Sequence, residues 1–156
     1  MAKKPFRGTP DTPDFRGTLI ASRDDEDFLN HINNVVYLRW VQDMATAHSK
    51  AVNWDLPEYE KIGGVWVVRQ HDIVYLRSAK GGDEIELVTW TETLKGASHI
   101  RKTQIFRKED RTELARCSTT WVLLNNKTGR PIRIPQEIVQ GFKVDPGPTV
   151  ELYPAK

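Results

Sequence analysis

The stretch Asp25-Glu26-Asp27-Phe28-Leu29-Asn30-His31-Ile32-Asn33-Asn34-Val35-Val36-Tyr37-Leu38-Arg39-Trp40 is where an acidic loop gives way to a helical pattern, and its reading decides the fold. From Asn34 onward Tyr37, Trp40, Val41, Met44, His48 and Ala51 recur every three or four residues, which predicts an amphipathic helix over about 34–53. Val35 and Leu38 lie off that stripe. The helix is therefore expected to be touched on more than one side, as it would be inside a curled sheet.

Upstream, Thr18 to Ser22 reads as a short strand leading into the acidic loop Arg23 to Leu29. Residues 1–16 contain three prolines and no apolar period, so they are expected to form a mobile arm, with the fold beginning near Gly17. Downstream of Gly64 the period changes to two. Strands are predicted over 66–77, 84–94, 98–107 and 112–124, separated by the short polar turns Ala79–Asp83, Lys95-Gly96 and Lys108–Arg111. In the last strand Ala115, Cys117, Thr119, Trp121 and Leu123 share a face. Residues 135–142 can make a turn or two of helix, and the proline-containing tail 143–156 is expected to be loose. The chain thus reads as one α+β domain over 17–142, with a curved five-stranded antiparallel sheet around one long helix.

Composition narrows the function. A net charge of +2, with Lys and Arg scattered through strands and turns, leaves no basic stripe for nucleic acid. No apolar run is long enough for a membrane span, and the polar N-terminus does not read as a signal peptide. One cysteine cannot make an intramolecular disulfide, so a cytoplasmic location is expected, and Cys117 reads as a buried apolar side chain. There is no Gly-x-Ser-x-Gly, Cys-x-x-Cys, His-x-x-x-His or phosphate-cradling glycine loop. No metal or cofactor is expected. A carboxylate before a helix would meet unpaired N–H groups, which would keep it ionised.

Asp25, Asp27, His31, Asn33, Asn34 and Tyr37 fall in register with the motif of the acyl-CoA thioesterases of the 4-hydroxybenzoyl-CoA thioesterase type, which this stretch resembles. Gly82-Asp83 extends the likeness, which runs over about 17–125. The resemblance implies a hotdog fold and a thioester hydrolase that acts on acyl-CoA as a homodimer or homotetramer, with its site at a subunit interface. It implies that Asp27 attacks the thioester carbonyl or activates a water, that the Asn34 N–H contacts the oxyanion, and that His31 orients Asp27 or meets substrate. Asn33 would line the pocket, meet the neighbouring subunit or cap the helix, Tyr37 would be core or pocket wall, and the backbone at Gly64 and Val65 would approach the thioester or serve only as a loop hinge. Asn30, where the family has glycine, would need a positive φ.

The motif is also similar to that of the acyl-carrier-protein thioesterases, whose Asp-x-Asn-x-His pattern uses all three side chains. Asp27 and His31 fit that spacing, but Leu29 replaces the asparagine, which favours acyl-CoA as substrate. Arg69, His71, Arg77, Arg101 and Lys102 are candidates for the CoA phosphates. The alternatives are a hydratase or dehydratase pairing Asp27 with His31 or His99, and an acyl-CoA-binding module without catalysis.

Overall fold

A computed structural model describes residues 5–155. Its elements run β1 (Phe15–Ile20), a 3-10 turn at Arg23–Asp25, α1 (Asn34–Ala51), α2 (Leu56–Lys61), β2 (Gly64–Tyr75), β3 (Glu84–Lys95), β4 (Ser98–Arg107), β5 (Thr112–Asn125), α3 (Gln136–Gly141) and β6 (Val150–Glu151). They form one sheet in the order β2-β5-β4-β3-β1-β6. Neighbours are antiparallel except β1 and β6, which pair in parallel through Gly17 and Val150. β2 is an edge strand with β5 on one side only. The register shifts at Val68/Gln70 in β2 and Thr91/Thr93 in β3 mark bulges, which bend a sheet locally and raise its twist.

α1 lies in the concave face, as the helical period requires. Asn33 caps it, its side chain accepting the Val35 N–H at 3.2 Å. Just past the other end Asn53, at φ 68°, takes the left-handed conformation that commonly stops a helix. Val36, Tyr37, Trp40, Val41 and Met44 bury against Phe15, Leu19, Ile85, Leu87, Ile105 and Leu114 from the sheet. Gly17 lets the helix approach β1 closely, since a Cβ there would stand 2.6 Å from Met44 Sδ. The expected face of β5 is realised: Ala115, Cys117 and Thr119 are fully buried on the helix side. A second cluster, with Val52, Tyr59, Leu123, Ile138 and Phe142, closes the far end of α1.

Two expectations change. The sheet has six strands rather than five, because the tail expected to be loose contributes β6; a two-residue strand has too few positions to display a period. The fold also begins before Gly17. Phe15 is 1% exposed within β1, and Phe6, Arg7 and Thr12 contact the outer face of the sheet. Phe6 packs edge-on to Trp90 at 5.9 Å, the Arg7 guanidinium sits 4.4 Å from the same ring, and the buried Thr12 hydroxyl donates to Thr91 O at 2.9 Å. These are contacts of isolated side chains, which leave no periodic trace. Residues 1–4 of the expected arm lie outside the described residues. Among the described residues, no helix is long and apolar enough to cross a membrane.

Candidate active site

Asp27 sits in a turn that closes on itself. Its N–H donates to His31 O at 2.8 Å, and its carbonyl accepts the Asn30 N–H at 3.0 Å. Its Oδ1 accepts the Leu29 N–H at 2.9 Å and the His31 N–H at 3.4 Å. Closing so tight a turn puts Asn30 at φ 59°, the conformation expected from its glycine-like position. Replacing Asn30 by Val should therefore cost about 1–2 kcal/mol of stability, whereas Gly should be neutral or better; urea denaturation of the two variants measures the difference.

The turn is tethered on three sides. Asp25 pairs with Arg39 of α1 at 2.6 Å, Glu26 Oε2 accepts the Gly81 N–H at 2.9 Å, and the Ile32 N–H donates to Ala79 O at 2.8 Å. Asp25 and Glu26 are thus structural anchors. Their partners are remote in sequence, which a reading of local charge cannot supply.

Asp27 lines a cleft of about 440 Å³ together with His31, Asn33, Asn34, Tyr37, Tyr75 and Arg77. Oδ2 of Asp27 receives no hydrogen bond from the described residues, so one carboxylate oxygen is free to act. The Asn34 N–H, at the start of α1, likewise has no acceptor among the described residues, as expected of a first-turn amide. Tyr75 fixes this residue from the other side, its hydroxyl donating to Asn34 O at 2.9 Å. Tyr37 is 2% exposed, and burial raises its phenol above the usual range. It packs edge-on to Tyr75 at 5.5 Å and so serves core and cleft wall together.

Several expectations need correction. Asp27 is not held by the amides at the start of α1; those that hold it come from its own turn, and Asn33 caps the helix. Asn30 shapes the turn with its backbone and does not line the cleft. Gly64 and Val65 are not brought to Asp27 within one chain, because β2 starts at the other end of α1 and reaches the cleft only at Tyr75. There they border a second cavity of about 270 Å³, walled by Trp54, Trp66 and Trp121 and floored by His99 and Arg101. Arg101 is 1% exposed, so it is out of reach of a phosphate at a tunnel mouth. Lys102 points to the outer face and donates to Phe6 O. The half-buried His71 is held by Thr119 at 2.9 Å and by Gln42 at 3.4 Å. Arg69 and Arg77 remain exposed, and only Arg77 borders the Asp27 cleft. Cys117 is buried as expected, which pushes its thiol up.

The sequence reading missed Trp54 and Trp121 as cavity walls. For Arg101 a signal existed: counting by twos from Ile105 puts it on the inward face of β4, an unusual place for a charge.

Known proteins resemble the chain in sequence and in shape. It is 31% identical over 99 residues to a chloroplastic palmitoyl-acyl carrier protein thioesterase of Cuphea hookeriana, a match covering 61% of this chain and 24% of that protein. A chloroplastic palmitoyl-acyl carrier protein thioesterase of Arabidopsis thaliana is 32% identical over 83 residues, covering 53% of this chain and 20% of its own length. The chain thus spans about a quarter or less of the curated relatives it matches. A 1,4-dihydroxy-2-naphthoyl-CoA thioesterase from Synechocystis superposes with a TM-score of 0.76 over 83% of this chain and 96% of its own, at 14% identity. A Staphylococcus aureus protein solved in complex with CoA gives 0.77 over 86% and 84%, at 16% identity. These two structures share the hotdog fold. The family model for the acyl-ACP thioesterase N-terminal domain matches residues 14–142, which takes in the Asp27 turn, α1 and all the long strands. With so much of its length inside that model, the chain belongs to the acyl-ACP thioesterase N-terminal domain family.

Proposed function

We propose that this domain hydrolyses acyl thioesters to a carboxylic acid and a thiol, with Asp27 as the nucleophile or general base. The observation that carries this reading is the free Oδ2 of Asp27 in a cleft that also presents the unpartnered Asn34 N–H. The carboxylate attacks the carbonyl carbon or takes a proton from the attacking water. Negative charge then develops on the carbonyl oxygen, where an amide at a helix N-terminus is placed to stabilise it. The carbon–sulfur bond breaks, and the thiolate leaves to be protonated. His31, whose side chain borders the same cleft, assists by orienting that water.

Acyl-CoA is the proposed thioester, in the manner of the 4-hydroxybenzoyl-CoA type. Leu29 stands in place of the asparagine that the carrier-protein enzymes use, and Arg77 offers a cation at the cleft. The CoA-bound S. aureus relative supports the same choice. The hydratase alternative finds no Asp27–His99 pair within one chain, since His99 is 3% exposed and lines the other cavity. Thiol release from a panel of acyl-CoA and acyl-carrier-protein thioesters tests the reading: none from any of them would rule out a thioesterase.

The working unit is proposed to be a homodimer or a tetramer built from such dimers. β2 leaves twelve residues with one edge unpaired and carries Val65, Val74 and Tyr75 at 38%, 48% and 37% exposure. Such an edge invites pairing with another strand. Antiparallel pairing with a second copy that sets Gly64 across from the partner's Tyr75 also sets Val65 across from the partner's Val74. It brings the Gly64 end of one copy's aromatic cavity to the Asp27 cleft of the other, uniting the two half-sites. Changing both Val65 and Val74 to Lys places like charges across that seam. Sedimentation should then report monomers where the wild-type chain gives dimers or tetramers; a monomeric wild type would sink the arrangement.

A further inference from the structure

The floor of the aromatic cavity holds a charge that no described residue neutralises. Arg101 stands on the inward face of β4, paired with Thr91 of β3 and Thr119 of β5. Its Nη1 donates to His48 Nδ1 at 2.8 Å and to Thr89 Oγ1 at 3.1 Å, both uncharged acceptors. Its Nε is buried with no partner. Among the described residues no ion pair includes Arg101. The Phe142 ring lies 5.6 Å from the guanidinium and compensates only in part. Asp55 borders the same cavity, but it is exposed and its Oδ1 accepts the Leu56 N–H at the start of α2.

The neighbours deepen the imbalance. Burial and the Arg101 charge push His48 down to about 2 and His99 well below the usual imidazole range, so both rings are neutral. Arg101 is lowered by burial to about 10 and stays charged at neutral pH. Trp121 Nε1 and His99 Nε2, on the same cavity wall, are also buried without partners. A buried cation without a counter-charge is costly, and an apolar side chain of the same size would serve the fold better. Around it the cavity is apolar, with Trp54 and Trp66 as walls. The pattern is that of a slot for an apolar chain or ring that ends in an anion.

We propose that this cavity receives an acyl group whose distal end carries a carboxylate, and that Arg101, helped by the Trp121 N–H, binds that carboxylate. The acyl part of this statement rests on the thioesterase reading above; the anion site does not.

The test compares hexanoyl-CoA with its counterpart in which the terminal methyl is a carboxyl group, and benzoyl-CoA with para-carboxybenzoyl-CoA. The wild-type chain should favour the carboxyl-ended member of at least one pair by about tenfold or more in kcat/KM, mainly through KM. Arg101→Met should erase that preference. In parallel, calorimetric titration should show hexanoate binding more tightly than hexanol, with the order lost in Arg101→Met. Equal rates within both pairs, with no advantage for hexanoate, overturn the anion site and leave the thioesterase reading standing. Absence of thiol release, with hexanoate still favoured in an Arg101-dependent way, retains the anion site and removes the thioesterase. Should Arg101→Met not fold, the wild-type comparisons decide alone.

Discussion

Asp27→Asn should yield a folded protein whose rate of thiol release from acyl-CoA falls by about 10²–10⁴-fold. The fold survives because an asparagine Oδ1 can still accept the Leu29 and His31 N–H groups that close the turn. What disappears is the negative charge on the second oxygen, the one no described residue engages. The pairing of Asp25 with Arg39, the Glu26–Gly81 contact and the Ile32–Ala79 bond are untouched, so the cleft should keep its shape. An unchanged thermal transition alongside the rate loss separates chemistry from unfolding. A variant that hydrolyses as well as the wild type would show that residue 27 is not the reacting group.

Trp40→Ala should destabilise the domain by about 3–5 kcal/mol, against a total of roughly 5–15 kcal/mol for a domain of ordinary stability. Trp40 is 1% exposed on the inward stripe of α1 and meets Tyr37 edge-on at 5.1 Å. Removing its indole opens a void where the helix packs on the sheet, and close-packed neighbours relax only in part. Urea denaturation would read the change as a lower midpoint. A loss below about 1 kcal/mol would mean that the helix is not seated as described.

The parts of this molecule legible in sequence are those with a period or a conformational constraint. Tyr37, Trp40, Val41 and Met44 announced one helix face, and β5 announced its inward face, because burial imposes spacing. Asn30 was legible as a left-handed residue through the resemblance, since it stands where the family has glycine and asparagine tolerates that conformation. Contacts between residues far apart in the chain left no such mark. Nothing local tells Glu26 that it will accept the Gly81 N–H, or Phe6 that it will cover Trp90. For the same reason the candidate site was legible as a list of residues but not as a place. Asp27 and Gly64 border different cavities of one chain, and only the direction in which β2 runs separates them. Which of the residues ahead of α1 caps it was not legible either, because Asp and Asn both make good caps and the choice of Asn33 depends on where the backbone enters the helix.

The separation of the two cavities along α1 has a consequence for how such a domain can diversify. Under the proposed function, substitutions among the tryptophans and Arg101 would redirect which acids are released while the Asp27 turn, built from other residues at the far end of the helix, stays as it is. Selectivity and reactivity would then drift independently, and a library confined to the aromatic end should change preference far more often than it abolishes thiol release.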